Sequence, residues 1–235
     1  MKTIHWAMIG TGDVTEKKSG PGFYKAKNSV LYGVTNRTLA KAEDYAKRHH
    51  VEKVFASVDD LLADPKVDAV YIATPPGSHK DYALRCAEAG KVCYIEKPIA
   101  LTYNEALEIS EAFKKANVKA FVAYYRRTLP RFTEVKVLLD AGTIGDVRFV
   151  NVAYYRPAAK DEINGTHWHV QPEISGGGIF MDMAVHTLDI LDFFFGAIEK
   201  VAAFSVNQAG YYAPEDNVAL SFAFDNHVTG TGNWC

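Results

Sequence analysis

The chain has 235 residues, of which 48% are hydrophobic and 23% charged, with 26 Lys and Arg against 28 Asp and Glu. That length suffices for one large or two modest domains, each with its own core. The near-neutral balance gives no electrostatic basis for nucleic acid or a membrane surface as the main partner, and no apolar run reaches the roughly 20 residues that span a bilayer.

The N-terminal segment Met1-Lys2-Thr3-Ile4-His5-Trp6-Ala7 enters a strand without the layout of a signal peptide. Cys86, Cys93 and Cys235 form no CxxC pair, so they are read as reduced thiols of a cytoplasmic protein. Ile4 to Ile9 reads as a buried strand running into glycines, followed by strands at Val30 to Val34, Ala69 to Ala73, Val92 to Ile95 and Ala120 to Ala123, with a weaker one at Val54-Phe55. Helical spacing covers 38–50, 78–89 and 102–116. The last of these opens on Thr102 and Glu105, which predict a capping box. Strands alternating with helices predict βαβ units and a parallel sheet. Beyond residue 122 the texture changes. A helix is expected over 132–141, then period-two alternation over 147–155, 201–206 and 218–224, the mark of antiparallel strands with one covered face. Between them, 181–195 reads as an apolar helix with a glycine-rich approach.

Gly10-Thr11-Gly12-Asp13-Val14-Thr15 directly follows the first strand. In a GxGxxG loop the first glycine makes the tight turn and the second lets backbone approach a pyrophosphate facing a helix N-terminus. Thr15 stands where the third glycine is usual, and Ser19-Gly20-Pro21-Gly22 should interrupt the helix that follows. The second strand ends in Thr35-Asn36-Arg37-Thr38 with no acid to hold a ribose diol. Asn36 can hydrogen-bond a 2′-phosphate and Arg37 can pair with it, which favours NADP over NAD. The fold class expected is α/β: a Rossmann domain with a parallel sheet over 1–122, then an α+β domain with a mainly antiparallel open sheet over 123–235.

Ala73-Thr74-Pro75-Pro76-Gly77-Ser78-His79 and Glu96-Lys97-Pro98 resemble the loops of the Gfo/Idh/MocA oxidoreductase family. Gly176-Gly177-Gly178-Ile179-Phe180-Met181-Asp182-Met183-Ala184-Val185-His186 resembles the family's Gly-Gly-Gly…Asp-x-x-x-His helix, and Tyr125-Arg126-Arg127 with Gly142 to Val147 resembles its domain junction. The resemblance implies that Lys97 bonds the reacting oxygen and the nicotinamide ribose, and that the Lys97–Pro98 bond is cis. It implies that Asp182 and His186 complete a proton-transfer site, and that Thr74, Pro75, His79, Glu96 and Arg127 line a cofactor cleft also built from Gly10, Thr11, Gly12, Asp13 and Val14. The residue types suit the chemistry. Histidine, unperturbed, exchanges its proton near neutrality, which suits that residue type at 186; Asp182 four residues earlier shares its helical face, and Lys97 puts positive charge beside a developing alkoxide.

Tyr155 and Trp168 are the candidate sugar-stacking rings, beside Lys97, Asp182 and His186 as substrate contacts. His167 and His169 have the chemistry of metal ligands, but His-x-His alone is weak and no metal is assigned. The expected activity is hydride transfer between NADP, or NAD, and a CH–OH group of a sugar, polyol or related compound. The family resemblance also admits a cofactor-dependent glycosidase or a non-catalytic dinucleotide sensor; a pure sensor needs none of Lys97, Asp182 and His186. It further implies a homo-oligomer, dimer or tetramer, joined through the C-terminal sheet, and more strands beyond Cys235, so the second domain is read as incomplete.

Overall fold

The computed structural model describes Lys2–Cys235, and Met1, where the first expected domain begins, lies outside the described residues. The chain divides into two compact units, Met1–Ala123 and Tyr124–Cys235.

In the first unit six parallel strands, β1 (Ile4–Ile9), β2 (Ser29–Thr35), β3 (Lys53–Val54), β4 (Ala69–Ile72), β5 (Val92–Ile95) and β6 (Ala120–Val122), lie in the order β3-β2-β1-β4-β5-β6. Alternate residues of one strand feed two cores. Ala7 and Ile9 join Val70, Ile72, Cys93 and Ile95 on one face. Met8 joins Val34, Tyr71 and Ala73 on the other. Helices α4 (Val58–Ala63), α5 (His79–Glu88) and α6 (Tyr103–Ala116) cover the first face with Leu61, Ala83, Cys86, Ile109 and Phe113. Helices α2 (Gly20–Lys25) and α3 (Leu39–His49) cover the second with Phe23, Ala42 and Tyr45. A parallel sheet covered on both faces explains why these strands are near-continuous apolar runs.

The predicted interruption after the glycine loop is a real break. Helix α1 (Asp13–Lys17) has five residues, and α2 restarts at Gly20 with Pro21 in its first turn. Thr15 is fully buried and its hydroxyl donates to the Gly12 carbonyl at 2.7 Å. A close approach occurs at Gly20, where a Cβ would lie 1.9 Å from the Thr15 carbonyl oxygen and 2.5 Å from the Tyr45 hydroxyl. In α6, Thr102 accepts from the Glu105 N–H as expected, but the Glu105 carboxylate reaches back to Leu101 N–H at 3.0 Å.

The second unit carries α7 (Pro130–Asp140), two single-turn helices α8 (Lys160–Ile163) and α9 (Pro172–Ser175), and α10 (Ile179–Phe195). Its sheet holds β7 (Phe149–Tyr154), β8 (Ile198–Val206), β9 (Asn217–Phe224) and β10 (Thr229–Trp234) in the order β7-β10-β9-β8. It is antiparallel except where β10 runs parallel to β7. Leu191 and Phe195 of α10 pack on Phe222, Phe224, Val150, Val152 and Ile198. The opposite face is open: Asn151, Ala153, Tyr155, Ala202, Phe204, Ser221 and Thr231 line it, and Phe204 is 80% exposed. No helix among the described residues is long and apolar enough to cross a membrane.

Candidate functional site

In the first unit the strand order reverses between β1 and β4. A crevice outside the carboxyl ends of the strands at such a reversal is where doubly wound sheets hold ligands. Gly10 makes the turn out of β1 with φ +95°, its N–H donating to the Thr35 carbonyl at 2.9 Å. A side chain there would press on β4, because a Cβ would sit 3.1 Å from the Ala73 carbonyl and 3.1 Å from Thr74 Cγ2. Gly12 is the N-cap of α1, and a Cβ on it would meet nothing within 4 Å. Its exposed backbone is thus reachable by a phosphate group, with Thr11, Asp13 and Val14 around it.

Asn36 is largely committed to the protein. Its amide donates to Thr11 Oγ1 at 2.8 Å and its carbonyl accepts the Thr38 N–H at 2.9 Å. It therefore fastens the glycine loop to the start of α3, and Arg37 beside it is exposed. Glu16 of α1 accepts two bonds from Arg48 and lies 2.8 Å from His49 Nε2. The Arg48 guanidinium outweighs partial burial and, with His49, brings the Glu16 carboxyl down to about 2.

The next loop, Thr74 to Ser78, leads into α5. Thr74 is half-buried and Pro75 exposed. His79 does not line a cleft: it is 0% exposed. Its two ring nitrogens lie 2.9 Å from the Pro98 carbonyl and 2.7 Å from the Thr74 carbonyl. Burial lowers its pKa, and a neutral imidazole donates to only one carbonyl at a time. His79 is a strut between the Thr74 loop and the Glu96-Lys97-Pro98 loop. That second loop ends β5, with a cis Lys97–Pro98 bond and Lys97 half-buried. Glu96 accepts the Tyr71 hydroxyl on one carboxylate oxygen and the Lys97 N–H at 3.2 Å on the other.

In the second unit, α10 presents Asp182 and His186 one turn apart. His186 is 7% exposed, and the rings of Tyr124 and Tyr125 meet its imidazole edge-on at 6.4 and 5.4 Å. The His169 Nε2 atom lies 3.8 Å from Asp182 Oδ1. Gly178 caps this helix, and its N–H donates to Glu215 at 2.9 Å. Arg127, expected beside a cofactor, is held on α10: it donates to Asp189 Oδ1 and Asp192 Oδ2 at 2.8 Å each. Burial keeps the Asp189 carboxyl above its ordinary range despite that guanidinium.

The two expected sugar-stacking rings part company. Tyr155 extends the row Asn151, Ala153 on the open face of the sheet and is 66% exposed. The face of β7 toward α10 belongs to Val150 and Val152, whose alternation continues to Tyr154, so Tyr155 points away from Asp182 and His186. Trp168 is stacked into a ring cluster, its centroid 3.8 Å from His169, which carries Asp182 beyond it. Glu162, undetected in the sequence, brings one ligand atom within 4.8 Å of those of His167 and His169. These donors are engaged: Arg156 bonds both Glu162 oxygens, at 2.8 and 2.5 Å, and His167 Nδ1 accepts the His169 N–H at 3.3 Å.

Residues 4–124 match the model of an oxidoreductase family with an NAD-binding Rossmann fold, and residues 132–235 match the Gfo/Idh/MocA C-terminal domain. The chain belongs to the Gfo/Idh/MocA oxidoreductase family. It is 41% identical to Oxidoreductase P35 of Formosa agariphila over 98% of this chain and 72% of that protein. It is 33% identical to scyllo-inositol 2-dehydrogenase (NAD(+)) of Bacillus subtilis over 83% of this chain, but spans only 54% of that enzyme. Among solved structures, levoglucosan dehydrogenase in complex with NADH and levoglucosan is similar at TM-score 0.84 and 25% identity, covering 98% of this chain and 66% of that one. The WlbA dehydrogenase of Bordetella pertussis, in complex with NADH and UDP-GlcNAcA, is similar at TM-score 0.87 and 25% identity, covering 99% and 67%.

Proposed function

We propose that this family member is an NAD(P)-dependent dehydrogenase or reductase acting on a CH–OH group of a sugar, polyol or related hydroxyl compound. One observation carries the reading. The Gly10–Gly12 loop, the Thr74-Pro75 loop and Lys97 stand at the carboxyl ends of the neighbouring strands β1, β4 and β5, where a parallel sheet reverses its order and a dinucleotide is accommodated. The loop fits that group, because the space beside Gly12 is open and its N–H groups belong to a helix N-terminus. When bound, the nicotinamide ring accepts or returns the hydride.

The chain's own residues handle the proton. Lys97 bonds the reacting oxygen and offsets its developing charge. His186 takes or gives the hydroxyl proton, and Asp182 steers the imidazole or holds a neighbouring hydroxyl. Trp168 offers the stacking surface. Arg37 gives a preference for NADP: it can pair with a 2′-phosphate, and no carboxylate is present to bond a free ribose diol. The reading includes a cytoplasmic location, supported by three free cysteines. It also includes self-association through the open sheet face around Phe204.

The test is a panel of inositols, aldoses and anhydrosugars with NADP+ and NAD+, following nicotinamide reduction. Turnover should appear with at least one compound and fall about a hundredfold or more in Lys97→Ala and His186→Ala. Full activity in Lys97→Ala, or no reduction with any compound, contradicts the assignment.

A further inference from the structure

Tyr71 is fully buried in the middle of β4, yet its hydroxyl is not idle. It contacts the Glu96 carboxylate and lies 2.7 Å from Ser19 Oγ. Proton accounting gives this chain a direction. An ionised carboxylate only accepts, so the single phenol proton goes to Glu96. Ser19 then turns its hydroxyl proton toward Tyr71, and its backbone N–H, donating to the Val14 carbonyl at 2.9 Å, ties it to the glycine-loop helix. Burial and the Glu96 charge both push the Tyr71 phenol up, which keeps it a donor. The other Glu96 oxygen receives the Lys97 N–H. Ser19 sits in the break between α1 and α2, directly behind the glycine loop. A run of hydrogen bonds thus leads from the glycine-loop helix, through the interior of β4, to the backbone of Lys97.

We propose that Tyr71 is a positioning residue for Lys97, holding Glu96 so that Glu96 fixes the lysine's backbone, with Ser19 tying this brace to the phosphate loop. It rests on the assignment of Lys97 to the nicotinamide ribose. Nothing else on β4 can do this, because Val70 and Ile72 point to the opposite core. Tyr71→Phe keeps the ring that packs against Phe23 and Tyr94 and removes only the donor.

A double-mutant cycle on NADH affinity, read by nicotinamide fluorescence, tests this without a substrate. Lys97→Ala should weaken NADH binding about tenfold, and Tyr71→Phe about fivefold. In the Lys97→Ala background, Tyr71→Phe should change affinity by less than about twofold, because it acts through the lysine. A general loss of packing would move affinity equally in both backgrounds, and that result overturns the proposal. So does an unchanged affinity in Tyr71→Phe, or a weakened Tyr71→Phe beside a silent Lys97→Ala. Should Tyr71→Phe fold poorly by thermal melt, Ser19→Ala takes its place in the same cycle, with the same dependence on Lys97 required. Wild-type protein that binds neither NADH nor NADPH removes the functional reading itself, and the proposal with it.

Discussion

Gly20→Ala isolates how the phosphate loop is seated. The added Cβ would lie 1.9 Å from the Thr15 carbonyl oxygen and 2.5 Å from the Tyr45 hydroxyl, while distances under 3.0 Å are essentially never tolerated. Both obstacles are poorly movable. Thr15 is 0% exposed and its hydroxyl closes the first turn of α1, and the Tyr45 hydroxyl donates to that same carbonyl at 3.2 Å. Helices α1 and α2 must therefore separate by about 1 Å, at an overpacking cost of about 2–3 kcal/mol. For a unit of this size that is a drop in melting temperature of roughly 10 °C. Because α1 starts at the glycine loop, NADH affinity should fall roughly tenfold as well. Gly22→Ala is the matched control. Its Cβ would meet nothing within 4 Å, and removing a helical glycine stabilises by up to about 1 kcal/mol. Thermal melts and NADH titrations of both variants decide the matter. A Gly20→Ala protein that melts and binds NADH like the wild type refutes this packing account.

Three further outcomes are expected. Glu16 has its carboxyl near 2 rather than its ordinary 4.5, so folding stabilises the ionised form. That contribution is complete above about pH 4.5 and is lost as pH falls toward 2; with Glu16 25% exposed, solvent screening reduces it to about 1–2 kcal/mol. Glu16→Gln should flatten this part of the acid-denaturation profile, and an unchanged profile counts against the pair. Arg127→Met takes from the Asp189 carboxylate, 9% exposed, its charged hydrogen-bond donor and should cost about 1–3 kcal/mol in chemical denaturation. NADH affinity should stay within about twofold; a tenfold loss would return Arg127 to the cofactor. The proposed self-association through the open sheet face predicts a smaller particle for Phe204→Lys than for the wild type in light scattering, and equal masses contradict it.

Much of the first unit was legible because parallel strands buried on both faces are written as apolar runs, and the boundaries of β1 and β5 follow them closely. Helix α4 was missed although Ser57 caps it by accepting the Asp60 N–H; six residues are too few for helical periodicity to stand out. Strand β10 was not predicted, because Gly230 and Gly232 leave its alternation without apolar side chains. A Cβ on Gly232 would lie 2.3 Å from the Trp234 ring, and one on Gly230 would lie 2.4 Å from the Phe222 ring. At the site, Gly10 and Gly12 could be read from their spacing after the first strand, whereas Lys97, Asp182 and His186 were singled out by the family resemblance. The partners of His79 and Arg127 could not, because Pro98 and Asp189 are distant in sequence. Tyr155 was recoverable: counting by twos from Val150 and Val152 puts Tyr154 on the covered face and Tyr155 on the open one.

The crevice at the β1–β4 reversal is where a nicotinamide dinucleotide is proposed to bind. Fluorescence titration of the purified protein with NADPH and NADH, repeated with Arg37→Asp, tests it most directly. Saturable binding of both is expected, tighter for NADPH, with Arg37→Asp erasing that preference and leaving NADH affinity nearly unchanged. Absence of binding by either nucleotide contradicts the oxidoreductase assignment of this chain.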